Sequence, residues 1–495
     1  MRILMKDHLL IPVFHHDSAS YTITELPNIP HHIHNPTYRF NPQIQTFLFG
    51  KQLLLDEISH PVEELFTHVN EGYITLRRPF IKEGRKIKCA RCGSSHHLAT
   101  YPCARCGNEQ CHYCRNCLMM GRVSACTPLF SWNGPSPSTL IVDQPLKWDG
   151  TLSTGQQQAS TAVVAAIDNK KEYLVWAVCG AGKTEVLFGG IAHALKQGQR
   201  VCLATPRTDV VLELAPRLKK VFPHTTVAAL YGGSEDRHLF ANLVISTTHQ
   251  LFRFYRAFDT VIVDEVDAFP YTMDATLQYA VQQAKKSAAA TIYLTATPSR
   301  KWQKECRQNK RAYMTIPARF HRFPLPIPQF KWIGQWTIPL KNARLPFVLK
   351  KWLQQRIEKE KQVLLFIPKI KLIDDMLPLI QKIHPKVEAV HAEDPLRKEK
   401  VQKMRKQETL ILLTTTILER GVTFPHIDVA VLGAEERIFT ESALVQIAGR
   451  VGRSVEAPTG DVVFFHYGKT TAMVRAKKQI LQMNKEAKQR GLLHE

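Results

Sequence analysis

The segment AVCGAGKT, residues 177–184, constrains the fold more than any other part of the sequence. An apolar run at 173–177 leads into it, and a stretch of helical character follows at 184–196 and ends at Gly198. A strand, a glycine-rich loop and a helix in this order are typical of a phosphate-binding loop. The helix N-terminus offers free N–H groups and a dipole that favours an anion. The segment therefore predicts a nucleotide site in an α/β domain.

The residues of this loop have separate predicted roles. Gly180, Ala181 and Gly182 would turn backbone N–H groups toward the phosphates of ATP. Lys183 would reach the outer phosphates, and the hydroxyl of Thr184 would ligate Mg²⁺. The alternative is a glycine-rich turn that matches by chance, since the strict motif begins with glycine and this one begins with alanine.

Two further positions are candidates for the same site. Gln156 stands just before a helix-like segment at 157–167, and its amide can donate and accept at an adenine edge. Asp264 and Glu265 follow the apolar run 261–263, so they lie at the carboxyl end of a buried strand. We expect Asp264 to hold Mg²⁺ and Glu265 to polarise the attacking water. Taken singly, a solvent-facing glutamine and an acidic strand end are both common.

A second series of strand-like runs occupies the C-terminal part, and it ends in the segment QIAGRVGR at 446–453. Arg450 and Arg453 are three residues apart and would lie on one face of a helix. Together with Gln446 they are candidates for meeting charge that develops on a γ-phosphate. Standing alone, the two arginines would be ordinary surface cations.

Eight of the eleven cysteines fall within 38 residues. They are Cys89, Cys92, Cys103, Cys106, Cys111, Cys114, Cys117 and Cys126. Such spacing in a cytosolic protein indicates Zn²⁺ rather than disulfides. Eight thiolates suffice for two Cys₄ sites, but one site with spare cysteines stays open, as does substitution by His96, His97 or His112. The metal would replace a core too small to form otherwise. The alternative, compatible with the first, is that the module contacts DNA directly through Arg91, Arg105, Arg115 and Arg122.

The length of the chain indicates how many domains it has, and its charge indicates which class of partner it binds. A chain of 495 residues suggests roughly three units. Residues 300–361 contain 16 Lys/Arg against 3 Glu, and 469–495 contain 7 against 2, so these segments carry 18 of the 23 excess positive charges. A concentrated basic surface favours a polyanion such as nucleic acid over a merely solvated face. The sequence has neither an apolar run of membrane length nor a signal-peptide profile, so we expect a cytoplasmic location.

These blocks, in this order, resemble the superfamily-two helicases and translocases. The resemblance runs from about residue 152 to the C-terminus and covers the phosphate loop, the D-E-x-D box at 264–267, Thr295-Ala296-Thr297 and Q-x-x-G-R-x-G-R at 446–453. The block at 416–423 departs from T-x-x-x-R-G-x-D, because Thr423 replaces the aspartate. The resemblance implies ATP and Mg²⁺ as cofactors and two RecA-like lobes. By motif position, contacts to the DNA backbone would fall at Thr205, Arg207, Thr247 and Thr415.

A cysteine-rich module ahead of the first lobe narrows the resemblance to the ComFA family of late-competence ATPases. The residues that carry it are the segments at 111–122 and 264–270. The family implies a motor on single-stranded DNA at the cytoplasmic mouth of the ComEC channel, with a phosphoribosyltransferase-like partner, ComFC. The resemblance also implies that the ATPase lies at the inner face of the cell membrane. The replication-restart helicase PriA also has eight zinc-binding cysteines, but its module lies within the second lobe.

The predicted architecture is an α/β protein with two tandem RecA-like helicase lobes preceded by a small zinc-binding module. The predicted boundaries are 1–88 for an accessory region, 89–126 for the zinc module, 127–146 for a linker, 147–318 for the first lobe and 319–495 for the second. The predicted function is ATP-driven translocation along single-stranded DNA during uptake. A nucleotide-dependent DNA clamp and a PriA-like duplex-unwinding helicase are the alternatives.

Overall fold

The structure is a computed structural model that describes residues 1–13, 19–84, 86–138, 141–420, 422 and 424–494. The predicted departure at Thr423 lies outside the described residues. The chain divides into two compact units. The first comprises Met1–Gly150, Thr161–Tyr173 and Leu187–Leu294, and the second comprises Thr151–Ser160, Leu174–Val186 and Thr295–Glu495.

The N-terminal part is built from short antiparallel strands and two helices. Its elements are β1 (Arg2–Lys6), β2 (Leu9–Val13), β3 (Ser20–Tyr21), α1 (Pro42–Leu48), α2 (Val62–Asn70), β4 (Ile74–Arg77), β5 (Phe80–Glu83), β6 (Lys86–Cys89), β7 (Leu98–Cys103), β8 (Asn108–Cys114) and β9 (Leu129–Trp132). The strands form one three-stranded sheet, β2-β1-β3, and the pairs β4-β9, β5-β6 and β7-β8.

The predicted linker at 127–146 contains a buried strand. All four residues of β9 are buried, and β9 pairs antiparallel with β4, with Phe130 opposite Leu76. Phe130 and Trp132 belong to the same core cluster as Phe66 of α2. Several prolines and glycines that follow β9 made this stretch resemble a connection in the sequence. The accessory region therefore has a core of its own, completed by β9.

A seven-stranded sheet forms the first α/β layer. Its elements are α3 (Thr154–Asp168), β10 (Glu172–Ala177), α4 (Lys183–Lys196), β11 (Val201–Thr205), α5 (Thr208–Val221), β12 (Val227–Leu230), β13 (Leu243–Thr247), β14 (Phe258–Val263), α6 (Ala275–Ala284), β15 (Lys285–Thr295), α7 (Arg300–Arg307) and β16 (Tyr313–Ile316). The strand order is β12-β13-β11-β14-β15-β10-β16.

A six-stranded sheet forms the second α/β layer. Its elements are β17 (Gln329–Trp332), α8 (Thr337–Lys341), α9 (Phe347–Ile357), β18 (Gln362–Phe366), α10 (Ile370–Gln381), β19 (Val387–Val390), α11 (Arg397–Arg405), β20 (Ile411–Thr414), β21 (Ile427–Leu432), α12 (Glu441–Ala448), β22 (Val462–His466) and α13 (Thr471–Gln489). The strand order is β17-β22-β21-β18-β20-β19.

Both sheets are parallel, and their central strands read as continuous apolar runs because helices cover both faces. Every residue of β11, β13, β18, β20, β21 and β22 is buried. The prediction of two RecA-like α/β lobes preceded by a cysteine-rich region is confirmed. Polar residues that follow the strands collect at the carboxyl edges of these sheets, where ligands bind in open α/β folds.

Candidate nucleotide, zinc and nucleic-acid sites

The phosphate loop connects β10 to α4 in the second unit. Gly180 and Gly182 have φ values of +83° and +69°, which favour glycine. Lys183 begins α4 and Thr184 follows it, so both lie in the first helical turn. A Cβ on Gly182 would lie 2.3 Å from Nε2 of Gln156. The loop therefore has the glycines, the helix N-terminus and the lysine that a triphosphate requires.

Gln156 lies against this loop and is 1 % exposed. Its Oε1 accepts the N–H of Ser153 at 2.8 Å, and its Nε2 donates to the carbonyl of Ala181 at 2.9 Å. The amide thus ties the start of α3 to the phosphate loop. Its role toward adenine stays a prediction.

The loop also contacts the segment 446–453 within the second unit. The thiol of Cys179 donates a hydrogen bond to Oε1 of Gln446 at 2.9 Å, and both side chains are buried. Arg453 donates from Nε to the carbonyl of Gly449 at 3.0 Å. Gln446 therefore lies beside the loop, next to the residues that would hold phosphates.

Arg450 has a different environment from Arg453. It is 1 % exposed, and its guanidinium donates to the carbonyl of Glu419 at 3.0 Å and to the carbonyl of Val422. These hydrogen bonds fasten the segment after α12 to the block that begins at residue 416. The helix α12 ends at Ala448, so the prediction that Arg450 and Arg453 share one helical face is wrong, because both lie in the segment that follows. The prediction that both arginines meet the γ-phosphate is not tested by these contacts.

Arg319 is a residue of this site that sequence reasoning missed. It is 1 % exposed and donates to the carbonyls of Gly452 and Gly449, the second at 3.4 Å. Its side chain lies 3.6 Å from the position that a Cβ on Gly180 would take. Burial, with the nearby charge of Arg453, lowers its pKa to about 10. A guanidinium in this position adds positive charge beside the phosphate loop.

A small polar network joins three motif segments of the second unit. The hydroxyls of Thr297 and Ser442 lie 2.7 Å apart, and Nη2 of Arg420 donates to Ser442 at 3.3 Å. The Thr295-Ala296-Thr297 segment, the block after 416 and α12 therefore share one contact point. A movement of one of these segments would therefore change the hydrogen bonds that it makes with the others.

The acidic box lies in the first unit, at the end of β14. Oδ1 of Asp264 accepts the N–H of Glu265 at 2.8 Å, and Glu265 has a φ of +52°. A positive φ is uncommon for a residue with a side chain, and such conformations concentrate at functional sites. Asp264 is a suitable oxygen ligand for Mg²⁺ in chemical terms.

The eight clustered cysteines form two groups of four. One is Cys89, Cys92, Cys114 and Cys117, and the other is Cys103, Cys106, Cys111 and Cys126. Sγ–Sγ separations of 3.8, 3.5, 3.8 and 4.0 Å occur within these groups. Tetrahedral Zn²⁺ with Zn–S bonds near 2.3 Å requires about 3.8 Å between ligands. Both groups therefore fit zinc, and no histidine belongs to either group among the described residues.

The first cysteine group is anchored by Arg91, which is fully buried. Its Nη2 donates to both carboxylate oxygens of Glu57, at 2.9 and 2.8 Å, and its Nε donates to the carbonyl of Phe252 at 3.3 Å. Nη1 donates to the carbonyl of Met120 at 2.9 Å. Arg91, which lies between Cys89 and Cys92, thus fixes the metal-binding turn to the adjoining segments of the first unit.

The two basic segments converge in the second unit. Side chains of α7 and α13 line an open cavity of about 280 Å³. Its cations are Arg300, Lys304, Arg307, Arg475 and Lys478. The basic count of the sequence also includes residues that are not on the surface, since Arg356 is paired with Asp428 at 3.2 Å. Thr205 and Thr247 lie opposite each other at the ends of β11 and β13.

Comparison with known proteins agrees with this architecture. Residues 35–131 match the N-terminal domain of competence protein ComFA, 149–300 match the res subunit of type III restriction enzymes, and 346–455 match the conserved helicase C-terminal domain. No helix among the described residues combines the length and apolarity needed to cross a membrane.

Two competence proteins named ComFA are similar over most of their length. That of Bacillus subtilis (strain 168) is 47 % identical over 450 residues, or 90 % of this chain and 96 % of the relative. That of Streptococcus pneumoniae (strain ATCC BAA-255 / R6) is 41 % identical over 409 residues, or 82 % and 92 %. Among solved structures, S. cerevisiae Dbp5 bound to RNA and ADP BeF3 has a TM-score of 0.48 at 12 % identity, covering 67 % of this chain and 92 % of that one.

The two parallel sheets, the phosphate loop and the helicase domains define a DNA-dependent ATPase of helicase superfamily two. Such domains use ATP and Mg²⁺. The chain belongs to the ComFA family of competence proteins.

Proposed function

We propose that this protein is a translocase that uses ATP to move along single-stranded DNA and to draw transforming DNA into the cell. Membership of the ComFA family supports a role in competence, since both similar relatives are named as competence proteins. The helicase domains support an activity on DNA. The basic cavity between α7 and α13 offers a surface for the phosphate backbone.

The observation that carries this proposal is the hydrogen bond between Cys179 and Gln446. It joins the phosphate loop to α12, the helix that leads into Arg450 and Arg453. A motor needs its nucleotide to control a second element, because hydrolysis must end in a movement. The contact of Ser442 in the same helix with Thr297 extends this link to a second motif segment.

The proposed chemistry divides among the residues of the motifs. Lys183 would stabilise negative charge on the outer phosphates, and Thr184 would hold Mg²⁺. Asp264 would share the metal, and Glu265 would orient and polarise the attacking water. Arg453 would stabilise charge on the γ-phosphate. Hydrolysis of ATP would supply the energy. These residues would bind ATP, neutralise the negative charge of its phosphates and position the attacking water.

The proposed partners follow from family membership. Single-stranded DNA is the proposed track, the ComEC channel the proposed source of that strand, and a ComFC-like phosphoribosyltransferase-family protein the proposed companion. The two zinc-binding groups, the first of them anchored through Arg91, would keep the N-terminal region rigid. A location at the inner face of the cell membrane belongs to the same proposal.

ATP turnover with single-stranded and duplex DNA tests the proposal. We expect strong stimulation by single strands and little by duplex. Lys183→Ala should lower turnover by at least about 10²-fold, the size of losses when one preorganised charge-stabilising group is removed, with an unchanged circular dichroism spectrum. Lys196→Ala, at the other end of the same helix, is the matched control and should keep full activity. Efficient separation of a forked duplex would instead support the PriA-like alternative.

A further inference from the structure

A small cavity in the first unit is lined by cations from two parts of the chain. Lys51 comes from the N-terminal region, whereas Arg237 and Arg253 come from segments that follow β12 and β13. His238, Glu57 and Gln250 complete the polar lining. None of these residues belongs to the phosphate loop, the acidic box or the cysteine groups.

Backbone hydrogen bonds fix Lys51 at this cavity. The segment that holds it pairs with the chain after β13, and Lys51 lies opposite Phe254 in an antiparallel bridge. Gln52 donates its N–H to the carbonyl of Arg253 at 2.7 Å, and Tyr255 donates to the carbonyl of Gly50 at 3.0 Å. The main chain therefore fixes the segments that carry Lys51 and Arg253 against each other.

The ammonium group of Lys51 is buried without a hydrogen-bond partner among the described residues. The side chain is 4 % exposed, and its Nζ lies 5.1 Å from the centre of the Phe47 ring. Burial, together with the charges of Arg200 and Arg253, lowers its pKa to about 7. An unpaired buried ammonium is costly, so an anion that pairs with it would offset part of this cost.

The carboxylate that lines the cavity, that of Glu57, already accepts hydrogen bonds from several protein donors. Glu57 accepts hydrogen bonds from Arg91, from Nε of Arg253 at 3.0 Å and from the N–H of Leu54 at 3.0 Å. The side chain of Arg237 makes no hydrogen bond or ion pair with another described residue and is exposed at the cavity mouth. The lining thus has three cationic side chains against one carboxylate, and those of Lys51 and Arg237 have no hydrogen-bond or ion-pair partner among the described residues.

The size of the cavity limits what can enter. Its volume is about 20 Å³, whereas one water-sized group needs roughly 10–15 Å³ of such space. A nucleobase or a sugar does not fit, and a tetrahedral anion would place only one of its oxygens inside, with the others at the mouth beside Arg237. We propose that Lys51, Arg237 and Arg253 form a binding site for a single phosphate group. The phosphate comes either from the backbone of single-stranded DNA, a source that rests on the proposed function, or from free phosphate.

Thermal unfolding of the full chain with inorganic phosphate tests the site independently of DNA. We expect the melting temperature to rise with phosphate but not with sodium chloride of equal ionic strength, because the anion binds only the folded state. Lys51→Met and Arg237→Gln should reduce this rise, whereas any part that comes from the phosphate loop should remain. The exposed residues Lys6 and Arg39 supply the matched controls Lys6→Met and Arg39→Gln, which should keep it.

The salt dependence of binding to an oligothymidylate identifies the source. If the strand supplies the phosphate, the slope of log affinity against log salt should fall in magnitude by about 0.7 in each site variant. A phosphate-dependent melting temperature with unchanged slopes assigns free phosphate to the same site. The proposal is overturned if neither measurement separates the site variants from the controls. Failure of the wild-type protein to bind DNA would refute the proposed function, and the phosphate measurement would still decide the site.

Discussion

Arg91 and Glu57 form a closed ion pair, in which one guanidinium nitrogen donates to both carboxylate oxygens at 2.9 and 2.8 Å. Arg91 is fully buried, and the Glu57 side chain is 15 % exposed. The same carboxylate accepts Nε of Arg253 at 3.0 Å. One acidic residue of the N-terminal region thus holds both the first zinc-binding turn and the segment after β13.

Removal of this carboxylate should destabilise the first unit strongly. Glu57→Gln leaves the buried charge of Arg91 without its counter-ion, which costs about 3–5 kcal/mol in comparable buried pairs. Urea unfolding measures the loss. The double variant Glu57→Gln, Arg91→Met should be more stable than Glu57→Gln alone, since it removes the uncompensated charge. If the double variant is the less stable of the two, Arg91 contributes mainly by packing and the ion-pair interpretation fails.

The pairing of the cysteines predicts how zinc is lost. We expect two zinc ions per chain, because both groups of four match a tetrahedral thiolate site. Cys92→Ser with Cys114→Ser removes two ligands from one site and should leave one zinc. Cys92→Ser with Cys106→Ser damages both sites and should leave none. Elemental analysis of folded protein decides, and equal zinc in the two double variants would contradict the pairing.

The phosphate loop should tolerate no side chain at Gly182. A Cβ there would lie 2.3 Å from Nε2 of Gln156, and the φ of +69° is unfavourable for alanine. We expect Gly182→Ala to weaken binding of a fluorescent ATP analogue at least tenfold. Gly232→Ala is the control, because its Cβ would meet nothing within 4 Å. Equal affinities in the two variants would show that this loop does not bind the nucleotide.

The buried lysine predicts a pH dependence of stability. With its pKa lowered to about 7, Lys51 loses its proton in the folded state while the unfolded chain keeps it up to its ordinary value near 10.5. Its contribution to stability therefore rises with pH across this window and is most unfavourable below about pH 7. The charged groups around it are Arg200, Arg253, Arg237, His238 and Glu57.

In phosphate-free buffer, Lys51→Met should accordingly be more stable than wild type at pH 6.5. The gain in the free energy of unfolding amounts to about 1.4 kcal/mol for each unit by which the pKa is shifted. It should shrink toward pH 10. Denaturant unfolding at both pH values measures it, with Lys6→Met as control. A gain of the same size at both pH values would mean that the ionisation of Lys51 is not responsible.

Local patterns in the sequence were sufficient for the fold and for the phosphate loop. Strand, glycine-rich loop and helix are consecutive at 173–196, so their geometry depends on neighbouring residues. The cysteines clearly indicated metal, but their pairing was open, because Cys89 and Cys92 join the more distant Cys114 and Cys117. That choice depends on how β7 and β8 fold back on each other.

The burial of particular residues could not be predicted from the sequence. Arg319 counted as one of the 16 basic residues of a presumed surface segment, yet it lies beside Gly180 at 1 % exposure. Lys51 belongs to no motif. Its ammonium group becomes buried only when residues 50–52 pair with residues 252–255. The strand β9 was obscured by the prolines that follow it. Each of these features depends on residues that are far apart in the chain.

The steady-state ATPase rate as a function of single-stranded DNA length tests the central claim most directly. A translocase spends more ATP on a longer track before it dissociates, so we predict that the maximal rate, with DNA ends held at equal concentration, rises with length to a plateau. A clamp responds only to the number of binding sites. A rate that does not change with length once one binding site is filled would contradict the account.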